Sequence, residues 1–161
     1  MIATWRAQTA GARGLRMQDL VRSGRWQRLG TGVYAAFSDQ PPRAAILWGA
    51  LLRSGPRALL SHQSAAELDG LLDKPATLIH VTVPAPQHRQ LVPGVVVHRS
   101  TRSIGYKEQR GLPPRTNTEE TALDLAGAAV SFDDVIALIA RACQQRLTTP
   151  RRRPPILKRL V

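Results

Sequence analysis

The sequence predicts an α+β fold: a short N-terminal unit of helix followed by paired strands, then a small mixed α/β domain in which flanking helices surround a central β-hairpin. Three observations predict it. Apolar residues recur at helical spacing in several separate segments. Two β-branched runs, "IHVTVP" (Ile79 to Pro84) and "VVVHRS" (Val95 to Ser100), break that period in the middle of the chain. The stretch "SDQPPR", with Asp39, Pro41 and Pro42, marks a linker between the two parts. The expected boundaries are 1–40 for the N-terminal module, 41–147 for the α/β domain and 148–161 for a basic tail.

The first helix is expected from about Leu15 to Ser23, with Met17, Leu20 and Val21 as its apolar stripe and Arg16, Asp19, Arg22 and Ser23 pointing away. Gly24 stops it. Two short strands, about Trp26 to Leu29 and Val33 to Phe37, flank a Gly30-Thr31-Gly32 turn, with Trp26 and Tyr34 as packing. "AAILWGALLR" (Ala44 to Arg53) is apolar nearly all round, as suits a helix buried on more than one side. After a turn at Gly55 and Pro56, "ALL" reads as a short strand, and Ser61 as the N-cap of a helix carrying Ala65, Leu68 and Leu72.

The two β-branched runs are joined by a loop containing Pro, Gln and Gly, so a hairpin is expected, with Ile79, Val81 and Val83 on one face. Two capped helices follow. The first has Asn117 or Thr118 as cap and Glu119 and Glu120 in its first turn. The second has Ser131 as cap, Asp133 and Asp134 in its first turn, and Val135, Leu138, Ile139 and Ala142 as its buried stripe.

With 161 residues, 43% of them apolar, the chain is long enough to bury a core. Lys and Arg number 23 against 11 Asp and Glu, a net charge of +12 that favours phosphate-bearing partners or an acidic protein surface; a genome that writes arginine freely is the plain alternative. The lone cysteine, Cys143, excludes an internal disulfide or a cysteine-based zinc site and reads as a buried free thiol. No apolar run approaches the ~18 residues of a membrane span, and the N-terminus has no apolar signal region, so a soluble cytoplasmic protein is expected. Six basic residues and no acid lie from Arg146 onward: either an end that touches nucleic acid or the start of a further helix or lost domain.

A helix with outward arginines, a glycine stop and two strands around a glycine turn is the order of a recognition helix followed by a β-wing, the helix entering a major groove while the wing lies along the backbone. On that reading Arg16 and Arg22 reach base edges or phosphates, and Arg25, Gln27, Arg28 and Thr31 hold phosphates. Solvated arginines on an ordinary helix and hairpin are the alternative.

Gly11, "LVRSGRW" (Leu20 to Trp26), "GVYA" (Gly32 to Ala35), "LSHQSAAEL" (Leu60 to Leu68), "VTVP" (Val81 to Pro84), "VVVHRS" and "TALDLA" (Thr121 to Ala126) follow one another in an order that resembles the AbiEi-type antitoxin family, from about Gly11 to Thr149. The resemblance implies an N-terminal winged helix-turn-helix coupled to an α/β domain, in a type IV toxin-antitoxin system. The winged helix would repress its own operon by binding double-stranded DNA at the operator, and the α/β domain would counter a nucleotidyltransferase-like toxin, commonly without a stable complex. Carried over by position, DNA contact falls on Arg13, Arg16, Arg22, Arg25 and Arg28. Family members usually have one more helix before the segment that starts near Thr4, so the winged helix is expected to lack its first helix.

Relatives of this architecture often continue into a Vsr-like endonuclease domain. No Glu-x-Lys pair with an upstream Asp is present to hold a nuclease metal, and no enzyme activity is expected. His80 and His98 lie on the two expected strands, near one another, but zinc wants a third ligand, and His88 sits in a loop without a nearby carboxylate or thiol. No metal or cofactor is therefore expected, and His62 is read as structural. A Ser-His-acid set from Ser61 or Ser64, His62 and Glu67 fails because neighbours on one short helix cannot supply a separately oriented base. Gly30 and Gly32 lack the helix and lysine of a phosphate loop. Beside the antitoxin reading stand a protein-interaction module with a degenerate DNA-binding region, and a truncated relative of the endonuclease-bearing proteins.

Overall fold

The computed structural model describes residues 4–6, 14–85, 92–101, 112–129, 131–145 and 147, and of 4–6 and 14–17 it describes the backbone. Among them are five helices and two three-stranded sheets, a mixed α+β arrangement.

The first sheet is antiparallel, ordered β1-β3-β2, from β1 (Thr4–Arg6), β2 (Gln27–Gly30) and β3 (Val33–Ala35). Helix α1 (Gly14–Arg22) lies between β1 and β2 in the chain. Its end is a left-handed stop: Gly24 takes φ +70°, and the amides of Arg25 and Trp26 both turn back to the Leu20 carbonyl. Gly32, at φ +72°, makes the turn between β2 and β3. Trp26 and Tyr34 are half-buried, as expected of residues that pack this unit.

Helix α2 (Arg43–Ser54) begins after Pro42, and six of its residues are buried: Ala45, Leu47, Gly49, Ala50, Leu51 and Ser54. That wide face lets it serve both sheets. Gly49 leaves room for Leu29 of β2, whose Cβ would stand 3.6 Å from a methyl placed there, while the Arg53 side chain covers Gly30. On its other side Leu47, Ala50 and Leu51 join Leu60, Ile79, Val81, Val83 and Val97 in the main core.

The second sheet is ordered β4-β5-β6, from β4 (Leu59–Leu60), β5 (Ile79–Pro84) and β6 (Val95–Ser100). The expected central hairpin is not formed. β5 and β6 run parallel, Ile79 pairing with Val95 and Pro84 with Ser100, and it is β4 that lies antiparallel to β5. Alternation of side chains is the same for either direction of pairing, so the pattern alone cannot distinguish them. Connection length permits either direction: a six-residue strand is ~20 Å long, and ten residues of extended chain reach up to ~33 Å, enough for the return that parallel pairing needs. β5 is also buried on both faces, as parallel strands usually are. On the free side of β4 the segment around Arg115 adds a parallel bridge, Leu60 N to Pro114 O and Thr116 N to Leu60 O.

Helix α3 (His62–Leu68) follows β4 directly and ends before Leu72, which therefore packs from outside the helix. Helices α4 (Thr118–Ala126) and α5 (Phe132–Gln144) are capped as expected: Asn117 accepts from Glu120 N and Ser131 from Asp134 N. Ala142 of α5 is fully buried against Ala66 and Leu71, with Leu138 and Leu125 beside it. Ile139 departs from expectation. It is about half exposed (48%), together with Ile136 and Phe132, because α5 touches the body along the narrow Leu138–Ala142 line rather than a broad stripe.

Candidate functional site

The basic end of the N-terminal unit is the first place to consider. Arg22 closes α1 with its side chain 81% exposed and only a long 3.9 Å contact to Asp19, so its charge is available to a partner. Arg25 and Thr31 are exposed. Arg28 is exposed and donates from Nε to the Gly30 carbonyl, 3.2 Å, which holds its guanidinium along the turn. Gln27 is differently employed: its Nε2 donates to the carbonyls of Phe37 (3.1 Å) and Asp39 (2.5 Å), tying β2 to the linker. Arg16 belongs to α1, its side chain outside the described set, and Arg13 lies outside the described residues.

The second place is a cluster of histidines that strand parity creates. Ile79, Val81 and Val83 point from one face of β5 into the core with α2. The alternate positions, His80 and Thr82, therefore share the opposite face with His98 of β6, because Thr82 and His98 are register partners. The N-terminus of α3 lies over that face. The Ser64 hydroxyl accepts from His80 N at 2.9 Å, the Thr82 hydroxyl donates to Ser61 Oγ at 2.8 Å, and Ser61 N donates to the His80 carbonyl.

His62 enters from α3 and completes a stack. Its ring centroid lies 3.8 Å from that of His98 with the planes 12° apart, and 5.6 Å from that of His80. His80 Nδ1 stands 3.0 Å from His98 Nε2. His62 adopts φ +49°, a left-handed backbone uncommon outside glycine, of the kind that concentrates at functional positions. Its Nδ1 faces both Ser61 Oγ (3.1 Å) and an Asp124 carboxylate oxygen of α4 (3.5 Å), with His62 and Asp124 both largely buried.

Ser61 occupies the N-cap position of α3, but its side chain makes no cap bond; the fully buried hydroxyl is turned into this cluster. The expected capping role is corrected accordingly. Nor does a hydrolytic triad arise. Ser61 and Asp124 both address Nδ1 of His62, whereas a relay needs nucleophile and orienting acid on opposite nitrogens. Glu67 is remote in function: it receives both arms of Arg43 (2.8 Å each) and the Ala76 amide (3.1 Å). The Arg43 bond lowers the Glu67 pKa, and the same bond raises that of Arg43. Burial lowers the His80 pKa, so this imidazole favours its neutral form.

Beneath the cluster a buried polar layer fixes α4. Arg115 Nε bonds Asp69 Oδ1 at 2.8 Å, Thr118 reaches Asp69 Oδ2, and the hydroxyls of Thr116 and Thr121 meet at 2.7 Å. The sequence places His80 and His98 near one another, and the structure brings a third histidine, His62, beside them. Strand parity places His80, Thr82 and His98 on one face of the strand pair, but it carries no signal for His62, which comes from α3.

The chain matches no protein-family model and no curated protein. Among the described residues no helix is long and apolar enough to cross a membrane.

Proposed function

We propose that this protein is a DNA-binding antitoxin that represses its own operon and counters a nucleotidyltransferase-like toxin, its N-terminal unit acting as a winged helix-turn-helix. One observation carries the reading. A helix with a basic end sits in the chain between the first two strands of a sheet ordered β1-β3-β2, and exposed Arg25 and Arg28 lie just before and within β2, ahead of the β2–β3 turn. This is the order in which a recognition helix is followed by a wing that lies along the DNA backbone. Arg16 and Arg22 serve as the groove contacts, while Arg25, Arg28 and Thr31 hold phosphates; Gln27 contributes by fixing the wing's root through Phe37 and Asp39. The net charge of +12 supports the same partner.

The test is retardation of the protein's own promoter fragment by the full chain, as a function of salt. Affinity falls steeply as salt rises, and Arg16→Ala with Arg22→Ala weakens specific binding by at least tenfold. Unchanged retardation by the double variant overturns the recognition-helix assignment.

A second reading is a protein-interaction module, favoured by the apolar residues Phe132, Ile136 and Ile139 of α5 and Leu123 of α4, all left exposed. Co-expression with a neighbouring nucleotidyltransferase separates the two. Growth rescue that survives loss of promoter binding in the double arginine variant, and is lost when Phe132, Ile136 and Ile139 become serine, places the antitoxin action on α5.

A further inference from the structure

We propose that His62, His80 and His98 form a binding site for a borderline divalent transition-metal ion, Zn2+ foremost, with one imidazole nitrogen from each residue as ligand and Asp124 as the orienting carboxylate. One ring nitrogen of each histidine lies within 4.8 Å of the others. The three side chains come from three elements that are fixed to each other independently of the rings. α3 is bonded to β5 through Ser64 Oγ with His80 N and Ser61 N with His80 O, while β5 and β6 share a six-pair ladder. The ligand carriers are therefore in place before the ion arrives.

The donor set selects the ion. Three imidazole nitrogens suit zinc, copper or nickel, whereas calcium and magnesium demand oxygen. Three histidine ligands with a fourth position left for water or another ligand is a recurring zinc arrangement. Ser61 Oγ and the Asp124 carboxylate both stand at Nδ1 of His62; with the Nδ1 proton donated to Ser61 Oγ and the carboxylate charge beside it, Nε2 keeps its lone pair for the metal. The Thr82 hydroxyl donates to one lone pair of Ser61 Oγ, and the second lone pair remains to accept the His62 proton. At the second pair, His80 Nδ1 and His98 Nε2 share one proton across 3.0 Å. On binding, that proton moves to the outer nitrogen of its own ring and both inner nitrogens turn to the ion, so the imidazoles stay neutral and no proton is lost. Asp124 supplies a negative charge beside the cation.

Binding also changes the stack. In a tetrahedral site with bonds of ~2.0–2.1 Å the ligand nitrogens stand about 3.4 Å apart, and the ion lies in the plane of each ring. Rings 12° to 27° from parallel must rotate to meet that condition. The movement is confined to side chains, and it gives the site a spectroscopic signature: each ring changes both its ligand and its neighbour.

The site goes beyond the antitoxin reading and does not depend on it. Its test uses the full chain, stripped with a chelator and titrated with Zn2+ by calorimetry and with Co2+ by visible absorption. One equivalent of Zn2+ binds, and Co2+ gives the intense visible bands of a four-coordinate ion. His80→Gln and His98→Gln each weaken binding at least a hundredfold. His62→Asn, chosen because asparagine tolerates the left-handed backbone, does the same. Asp124→Asn weakens it by about tenfold. His88→Gln, which alters the remaining histidine, leaves it unchanged.

Absence of stoichiometric binding overturns the proposal, as does binding that persists in the His80 and His98 variants or disappears in the His88 variant. A measurement on the unmutated protein covers the case in which a variant fails to fold. Zn2+ must shift the ring nitrogen resonances of three of the four histidines, and a shift of fewer than three overturns the assignment.

Discussion

His80 Nδ1 lies 3.0 Å from His98 Nε2 although the two residues are not register partners: His80 pairs with Val96, and His98 with Thr82. Parallel pairing makes this diagonal contact possible, because both rings leave the same face of the sheet two positions apart and lean along the strands in a common direction. The contact requires one nitrogen to donate and the other to accept, so at least one of the two rings carries a neutral acceptor nitrogen. With His62 stacked on His98 and Asp124 behind it, this is a face on which protonation state and packing are linked.

The first prediction concerns acid. Burial lowers the His80 pKa below its ordinary 6.5, so between the folded and unfolded values the unfolded chain binds more protons. Its contribution is complete above 6.5 and is lost as pH falls from there through the folded pKa. Glu67 gives a separate, lower step: its pKa is depressed from 4.5, mainly by the Arg43 hydrogen bond, so its contribution is lost as pH falls through that depressed value. Urea midpoints measured from pH 8 to pH 3 in the presence of a chelator will show both steps. His80→Gln flattens the upper one and Glu67→Gln the lower, and an upper step that persists in His80→Gln assigns it to another group.

What the sequence made legible, and what it did not, follows from the range of each signal. Caps at Asn117 and Ser131, the glycine stop at Gly24 and the extent of α2 are local, and each formed where its residues foretold. The direction of β6 is a long-range property, invisible to alternation. The same difficulty hid the third histidine. Ser61 and His62 resemble a cap and its neighbour in one dimension, and only the overlay of α3 on the polar face of β5 turns both side chains into the cluster. Ile139 was misplaced because periodicity fixes a stripe's direction but not how much of it a neighbour covers.

The second prediction separates the two faces of α5. Phe132 is 77% exposed and Ile136 50%, so Phe132→Ser and Ile136→Ser each change stability by no more than about 0.5 kcal/mol. Ala142, fully buried against Ala66 and Leu71, has no room for growth, and Ala142→Leu costs about 1–3 kcal/mol through overpacking. Chemical denaturation of the three variants checks the contrast. Binding of a hydrophobic dye to the folded protein falls in the serine variants, and unchanged dye binding would show that the apolar face is covered in solution.

The third prediction contrasts two glycines of the N-terminal unit. At Gly24 a methyl group meets nothing within 4 Å, but φ is +70°, so Gly24→Ala costs about 1–2 kcal/mol from backbone conformation alone. At Gly30 the backbone is not left-handed, and a methyl would stand 2.5 Å from Arg53 Cδ. That is the outer part of a flexible side chain, which swings away, so Gly30→Ala costs less than about 1 kcal/mol. The distinguishing measurement is a double-mutant cycle. The Gly30→Ala penalty vanishes in an Arg53→Ala background, while the Gly24→Ala penalty is the same in both.

The last prediction tests what Ser61 does. As a side-chain N-cap its hydroxyl would bond an amide of the first turn, and asparagine, an equally good cap, would replace it at little cost. The observed hydroxyl instead lies fully buried between the Thr82 hydroxyl at 2.8 Å and His62 Nδ1 at 3.1 Å, with no cap bond. Ser61→Ala therefore leaves the Thr82 hydroxyl, itself buried, without its acceptor, at a cost of about 1–3 kcal/mol. Asparagine brings a larger amide into a site with no exposed surface, so Ser61→Asn destabilises at least as much as Ser61→Ala. Urea denaturation of the two variants decides between the roles. Near-wild-type stability of Ser61→Asn beside a weakened Ser61→Ala would restore the capping role, whereas rescue of Ser61→Ala by Thr82→Val, which removes the stranded donor, identifies the hydroxyl pair as the source of the loss.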